Sequence, residues 1–118
     1  MCCIDNLDSE FYNLNDYKIT NVPMQECTLR RYGKVVNLNF DSGNAFNGLL
    51  MNDSTLFSLP EELNHLFPSN AIFGTLNWKD GQLAAELVLI MSGSINIWNW
   101  RHVTIPSATY GSLVWILN

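Results

Sequence analysis

The chain has 118 residues, 47% of them apolar and 14% charged, with a formal net charge of −5. That length fits one hydrophobic core; the six Lys and Arg form no basic stripe to neutralise phosphates, which disfavours nucleic acid, and no apolar run reaches the roughly 18 residues of a membrane span. Soluble chains carry about a quarter charged residues, so this surface must lean on Asn, Ser and Thr, which suits assembly or a neutral ligand.

The N-terminus, Met1-Cys2-Cys3-Ile4-Asp5, lacks the charged and apolar regions of a secretory signal, so a soluble protein made in a cytoplasm is expected. Cys2, Cys3 and Cys27 are odd in number and without C-x-x-C spacing, and His65 and His102 lie far apart in sequence. Neither a disulfide framework nor a metal site is expected, and no cofactor is implied. The adjacent thiols read as a frayed end rather than an acylation site, because no basic cluster supplies a second membrane signal.

Residues 1–25 read as an extended arm. Asp5, Asn6, Asp8, Glu10, Asn13, Asn15 and Asp16 alternate irregularly with Phe11, Tyr12, Leu14 and Tyr17, and Pro23 closes the segment. Such an arm should pack on the body or on a neighbouring subunit, since leaving large apolar side chains in water forfeits roughly 1.5 to 3 kcal/mol each. Residues 26–118 read as one β head domain.

From Cys27 to Phe40 the even positions Tyr32, Val36, Leu38 and Phe40 are apolar while Arg31, Gly33, Asn37 and Asn39 take the other face, which predicts a long half-buried strand. Strand alternation also puts Arg30 and Arg31 on opposite faces, one solvated and one able to pair with an acid. Asp41-Ser42-Gly43-Asn44 is a turn cluster, Phe46 to Met51 begins another strand, and Asn52-Asp53-Ser54 breaks it. Pro60 followed by Glu61 and Glu62 has the signals of a helix start, and Pro68 limits that helix to about two turns.

The second half alternates more regularly. Ile72, Gly74, Leu76 and Trp78 lead to Lys79-Asp80-Gly81, whose Asp-Gly pair favours a tight hairpin. Ala84 to Met91 is apolar on both faces except for Glu86, and Ser92-Gly93-Ser94 turns the chain. Ile95 and Ile97 then alternate with Asn96, Trp98 and Trp100. In the last strand, Thr109 to Leu117, Tyr110, Val114 and Ile116 share one face and Leu113, Trp115 and Leu117 the other. The predicted fold is all-β, a compact antiparallel β-barrel or jelly-roll-like sandwich of seven or eight strands with one short helical turn.

These residues carry a resemblance. Arg31-Tyr32-Gly33-Lys34-Val35-Val36-Asn37-Leu38, then Phe57-Ser58-Leu59-Pro60 with Phe67-Pro68-Ser69, then Ile90-Met91-Ser92-Gly93-Ser94-Ile95-Asn96-Ile97, then Ala108-Thr109-Tyr110 occur in this order. The order resembles the head domains of tailed-bacteriophage receptor-binding, tail-fibre and baseplate proteins of Gram-positive hosts, over roughly residues 26 to 118. The resemblance implies a β head on the virion that assembles as a homotrimer with other tail or baseplate proteins and binds host cell-wall saccharide. No binding residue carries over from it, because the saccharide contacts of such heads form no fixed motif.

Candidate saccharide contacts come from the residues themselves. Sugar rings stack their C–H faces on aromatic rings, and their hydroxyls seek Asp, Asn, Arg or His. Trp98, Trp100, Arg101 and His102 lie together in sequence, and Trp78 with Asp80 sits at a hairpin end. Trp98 and Trp100 form a stripe on one strand face, open to two readings: ligand contact, or core and subunit packing. No enzyme is expected. His102 has no Ser, Cys or Asp in a catalytic spacing, and the neighbouring Glu61 and Glu62 do not form two carboxylates flanking a bond. The alternative function is a structural tail or baseplate component whose aromatic residues serve only oligomer contacts.

Overall fold

The computed structural model describes residues 9–17, 25–43, 54–78, 83–98 and 109–117. Within them lie eight strands: β1 Ser9–Asn13, β2 Glu26–Tyr32, β3 Val35–Gly43, β4 Ser54–Ser58, β5 Ile72–Trp78, β6 Leu83–Leu89, β7 Ser94–Trp98 and β8 Thr109–Ile116. Two 3-10 segments, η1 Leu14–Asp16 and η2 Glu61–Leu66, complete the elements. The strands form one sheet in the order β1-β2-β3-β8-β5-β6-β7-β4, and each neighbouring pair is antiparallel. The sheet curls into a half-barrel, so the all-β antiparallel expectation holds in its single-sheet form.

Period-two alternation decides which face of the curl is dry. Leu29 on β2, Val36 and Leu38 on β3, Leu113 and Trp115 on β8, Leu76 on β5, Leu87 and Leu89 on β6, and Ile95 and Ile97 on β7 are buried together in one cluster on the concave side. Leu63 and Leu66 of η2 join that cluster, and the Trp115 indole Nε1 donates to the Leu66 carbonyl at 2.9 Å. The segment between β4 and β5 therefore plugs the hollow. It is the short helical segment expected between Pro60 and Pro68, and it is a 3-10 helix: its bonds run Leu63 N–H to Pro60 O and Phe67 N–H to Asn64 O, and Leu63 leaves helical geometry at φ −103°, ψ 18°. The kink at the buried Leu63 divides the segment into two short turns, closed by the 3-10 bonds on either side of it.

The predicted strand from Cys27 to Phe40 is instead the β2–β3 hairpin. Gly33 sits at φ +59°, a backbone geometry that side chains with a Cβ rarely adopt, and with Lys34 it turns the chain within two residues. The turn pairs Tyr32 with Val35 and leaves both on the outer face, while Val36, Leu38 and Phe40 go inside. Residues 9–17 of the predicted arm add β1 to the edge of the same sheet, with Leu14 fully buried in the common core. The expected strand at Phe46 to Met51 and the Lys79-Asp80-Gly81 turn lie outside the described residues.

Candidate functional site

Two side-chain constellations stand out beyond the core. The first gathers on Glu10. Antiparallel register sets Glu10 opposite Arg31, on the inward-facing alternation of both strands, and η2 brings His65 to the same place. The Glu10 carboxylate accepts bonds from the Tyr12 hydroxyl and from Arg31 Nε, and His65 Nε2 lies 2.8 Å from its Oε1. Arg31 also donates through Nη1 to the Gly33 carbonyl at 2.7 Å.

Burial pushes the Glu10 carboxyl pKa up, but the hydrogen bonds from Tyr12, His65 and Arg31, with the Arg31 charge, outweigh it and hold the pKa at about 2. The same bond to Glu10, together with burial, raises the Tyr12 phenol. A carboxylate with both oxygens engaged and so low a pKa is a poor proton acceptor at neutral pH; its work is to tie β1, β2 and η2 together. Arg31 is thus the arginine that pairs with an acid. Arg30, on the outer face, lies over the Phe11 ring at 4.8 Å from its centroid.

The second constellation is a cleft of about 200 Å³ lined by Glu26, Asn39, Phe40, Asp41, Tyr110 and Gly111. Its rim follows from register. Glu26 pairs with Asp41 and Asp41 with Tyr110, which aligns two acids and a phenol across β2, β3 and β8. Its floor depends on Gly111, where an added Cβ would come within 2.2 Å of the Phe40 ring, so only glycine lets that ring lie against the β8 backbone. Phe40 also makes an edge-to-face contact with Phe57, centroids 5.7 Å apart. Asn39, Ser112, Thr75 and Glu86 form the next register row, so the cleft opens beside a strip of mostly neutral hydrogen-bonding groups.

Trp78 closes β5 with its backbone opposite Thr109, and its neighbour Asn77 is opposite Tyr110, which places this strand end beside the cleft. Trp98 closes β7 opposite Glu86, at the far end of the polar row. Asp80, Trp100, Arg101 and His102 lie outside the described residues. Glu61 and Glu62 are exposed on the first turn of η2. Sequence reasoning missed Glu26, Asn39, Asp41 and Tyr110 as a group, because they become neighbours only through pairing of β3 with β8. Asp41-Ser42-Gly43, expected as part of a turn cluster, is instead the end of β3, with a register irregularity between Asp41 and Gly43.

Among the described residues no three of His, Cys, Asp and Glu stand together as a metal-binding set, and no helix is long and apolar enough to cross a membrane. No protein-family model matches the chain, and no curated protein matches it.

Proposed function

We propose that this chain is a non-enzymatic recognition domain, a phage or prophage receptor-binding head that binds host cell-wall saccharide during attachment. The cleft between Glu26, Asp41 and Tyr110 is the observation that carries this reading: a partly exposed phenol ring beside carboxylates and amides offers a stacking face and directed acceptors, the pair of features a sugar ring uses. The motif order along residues 26 to 118 supports the phage setting, and Trp78 joins the proposed contact set from the sequence. Asp80, Trp98, Trp100, Arg101 and His102 extend the proposed contact set from the sequence. In this setting the protein works on the virion, with tail or baseplate proteins and further copies of itself as partners.

The test is NMR titration of the chain with cell-wall polysaccharide fragments from Gram-positive bacteria. Chemical-shift changes should concentrate at Asn39, Asp41 and Tyr110, and Tyr110→Ala and Trp78→Ala should each weaken binding by about tenfold with the fold intact. No shift change at about millimolar saccharide would sink the proposal, since even weak sugar sites are measurable there.

The exposed apolar side chains of the outer face favour a second reading, a structural tail or baseplate component. On that reading Trp78→Ala leaves adsorption to host cells unchanged.

A further inference from the structure

The cleft carries a charge pattern that strand pairing does not favour. Register sets Glu26 on β2 directly opposite Asp41 on β3, an arrangement of like charges that weakens a cross-strand pair. The remaining lining, Asn39, Phe40, Tyr110 and Gly111, brings no positive charge. Glu86, at the end of the row that runs from Asn39 through Ser112 and Thr75, adds a third acid to the same face. Among the described residues the cations are Arg30, Arg31 and Lys34, and they stand elsewhere. Arg31 is engaged by Glu10, and Lys34 lies in the turn at the far end of the β2–β3 hairpin. Arg30 is four residues from Glu26 along β2, about 13 Å at the rise of a strand, with its guanidinium over the Phe11 ring. That separation exceeds the Debye length of about 10 Å in 0.1 M salt, so Arg30 does not offset the two acids.

We propose that the cleft selects its saccharide by charge: it takes a phosphate-free glycan, uncharged or carrying free amines, and turns away wall polymers linked through phosphodiesters. This inference rests on the saccharide reading of the cleft and names the class of saccharide. A phosphate drawn into the cleft adds a negative charge within reach of both Glu26 and Asp41, and each repels it. A hydroxyl or an ammonium group instead gains a charged acceptor from either acid. Specificity of this kind comes from repelling the wrong partner as much as from holding the right one. The opposed acids also break a local pairing rule, which is the signature of a position kept for a ligand rather than for the sheet. Asp80 and Arg101, both in the contact set drawn from the sequence, cancel in charge and leave the balance negative.

The test uses Gram-positive cell-wall polysaccharide, fragmented and separated by anion exchange into a phosphate-free and a phosphate-bearing pool of matched size. Each pool is titrated into the full chain and followed by NMR. The phosphate-free pool should shift Asn39, Asp41 and Tyr110. The phosphate-bearing pool should bind about tenfold more weakly in about 20 mM salt, and the gap should close toward about 500 mM as the charges are screened. Glu26→Gln combined with Asp41→Asn should narrow the gap to about threefold. Glu26→Gln alone should raise the melting temperature, because it removes one of two opposed charges. Equal binding of the two pools, tighter binding of the phosphate-bearing pool, a gap unchanged by salt or by the double substitution, or a lower melting temperature for Glu26→Gln overturns the charge selection and leaves the saccharide reading standing. Binding of neither pool overturns both.

Discussion

The indole of Trp115, at the centre of the sheet on β8, donates its N–H to the carbonyl of Leu66 at the end of η2, 2.9 Å away and fully inside the core. This bond fixes the 3-10 plug against the concave face and satisfies a helix-end carbonyl that has no partner of its own in the segment's short ladder.

Trp115→Phe should therefore cost about 2 kcal/mol, from an orphaned buried carbonyl and a smaller ring. Urea denaturation followed by circular dichroism measures it. An unchanged midpoint would show that the Leu66 carbonyl finds another donor.

Glu10 predicts a specific pH dependence. Its folded pKa of about 2 lies below the ordinary 4.5, so its contribution is fully present above pH 4.5 and fades as pH falls toward 2. That contribution is at most about 3 kcal/mol, and partial exposure of the cluster lowers it. Glu10→Gln should be less stable than the parent at pH 6, and the two should converge between pH 4.5 and 2. Equal stability across this range in chemical denaturation would remove the latch role.

Gly111→Ala puts a methyl group against the Phe40 ring, which is buried and held by Phe57. The expected loss is about 2 to 3 kcal/mol, the cost of overpacking a core that cannot shift freely. Phe40→Leu in the same chain should recover part of it, because the shorter side chain vacates that space. Thermal melts of the two single variants and the double variant show whether the effects are coupled.

Burial pushes the Cys27 thiol up to about 12, which leaves almost no thiolate at neutral pH. Alkylation of Cys27 by N-ethylmaleimide, followed by peptide mapping, should proceed only as fast as the chain opens, and should accelerate sharply across the urea midpoint. Rapid labelling in native buffer would contradict the buried position on β2.

Much of the strand pattern was legible in the sequence. Alternation alone separated Leu113 and Trp115 from Tyr110, Val114 and Ile116, and it placed Ile95 and Ile97 together, because successive side chains on a strand point to opposite faces whatever the strand packs against. It also sorted Arg30 from Arg31. Gly33 escaped this reading: one residue at positive φ turned an apparent single strand into a hairpin and moved Tyr32 to the outer face.

The sequence by itself thus determined the strand character of the chain, most of its inward residues and the shortness of the Pro60–Pro68 segment, since these depend on local periodicity and backbone chemistry. Only the tertiary structure decided that β8 inserts between β3 and β5, bringing Asp41 to Tyr110, and that η2 delivers His65 to Glu10. It alone showed that Val114, Ile116 and Phe73 lie on an open face, for an apolar residue reads the same in sequence whether a second layer covers it or not. Strand order and the covering of a face are set by the global packing of the core, and no local pattern encodes them.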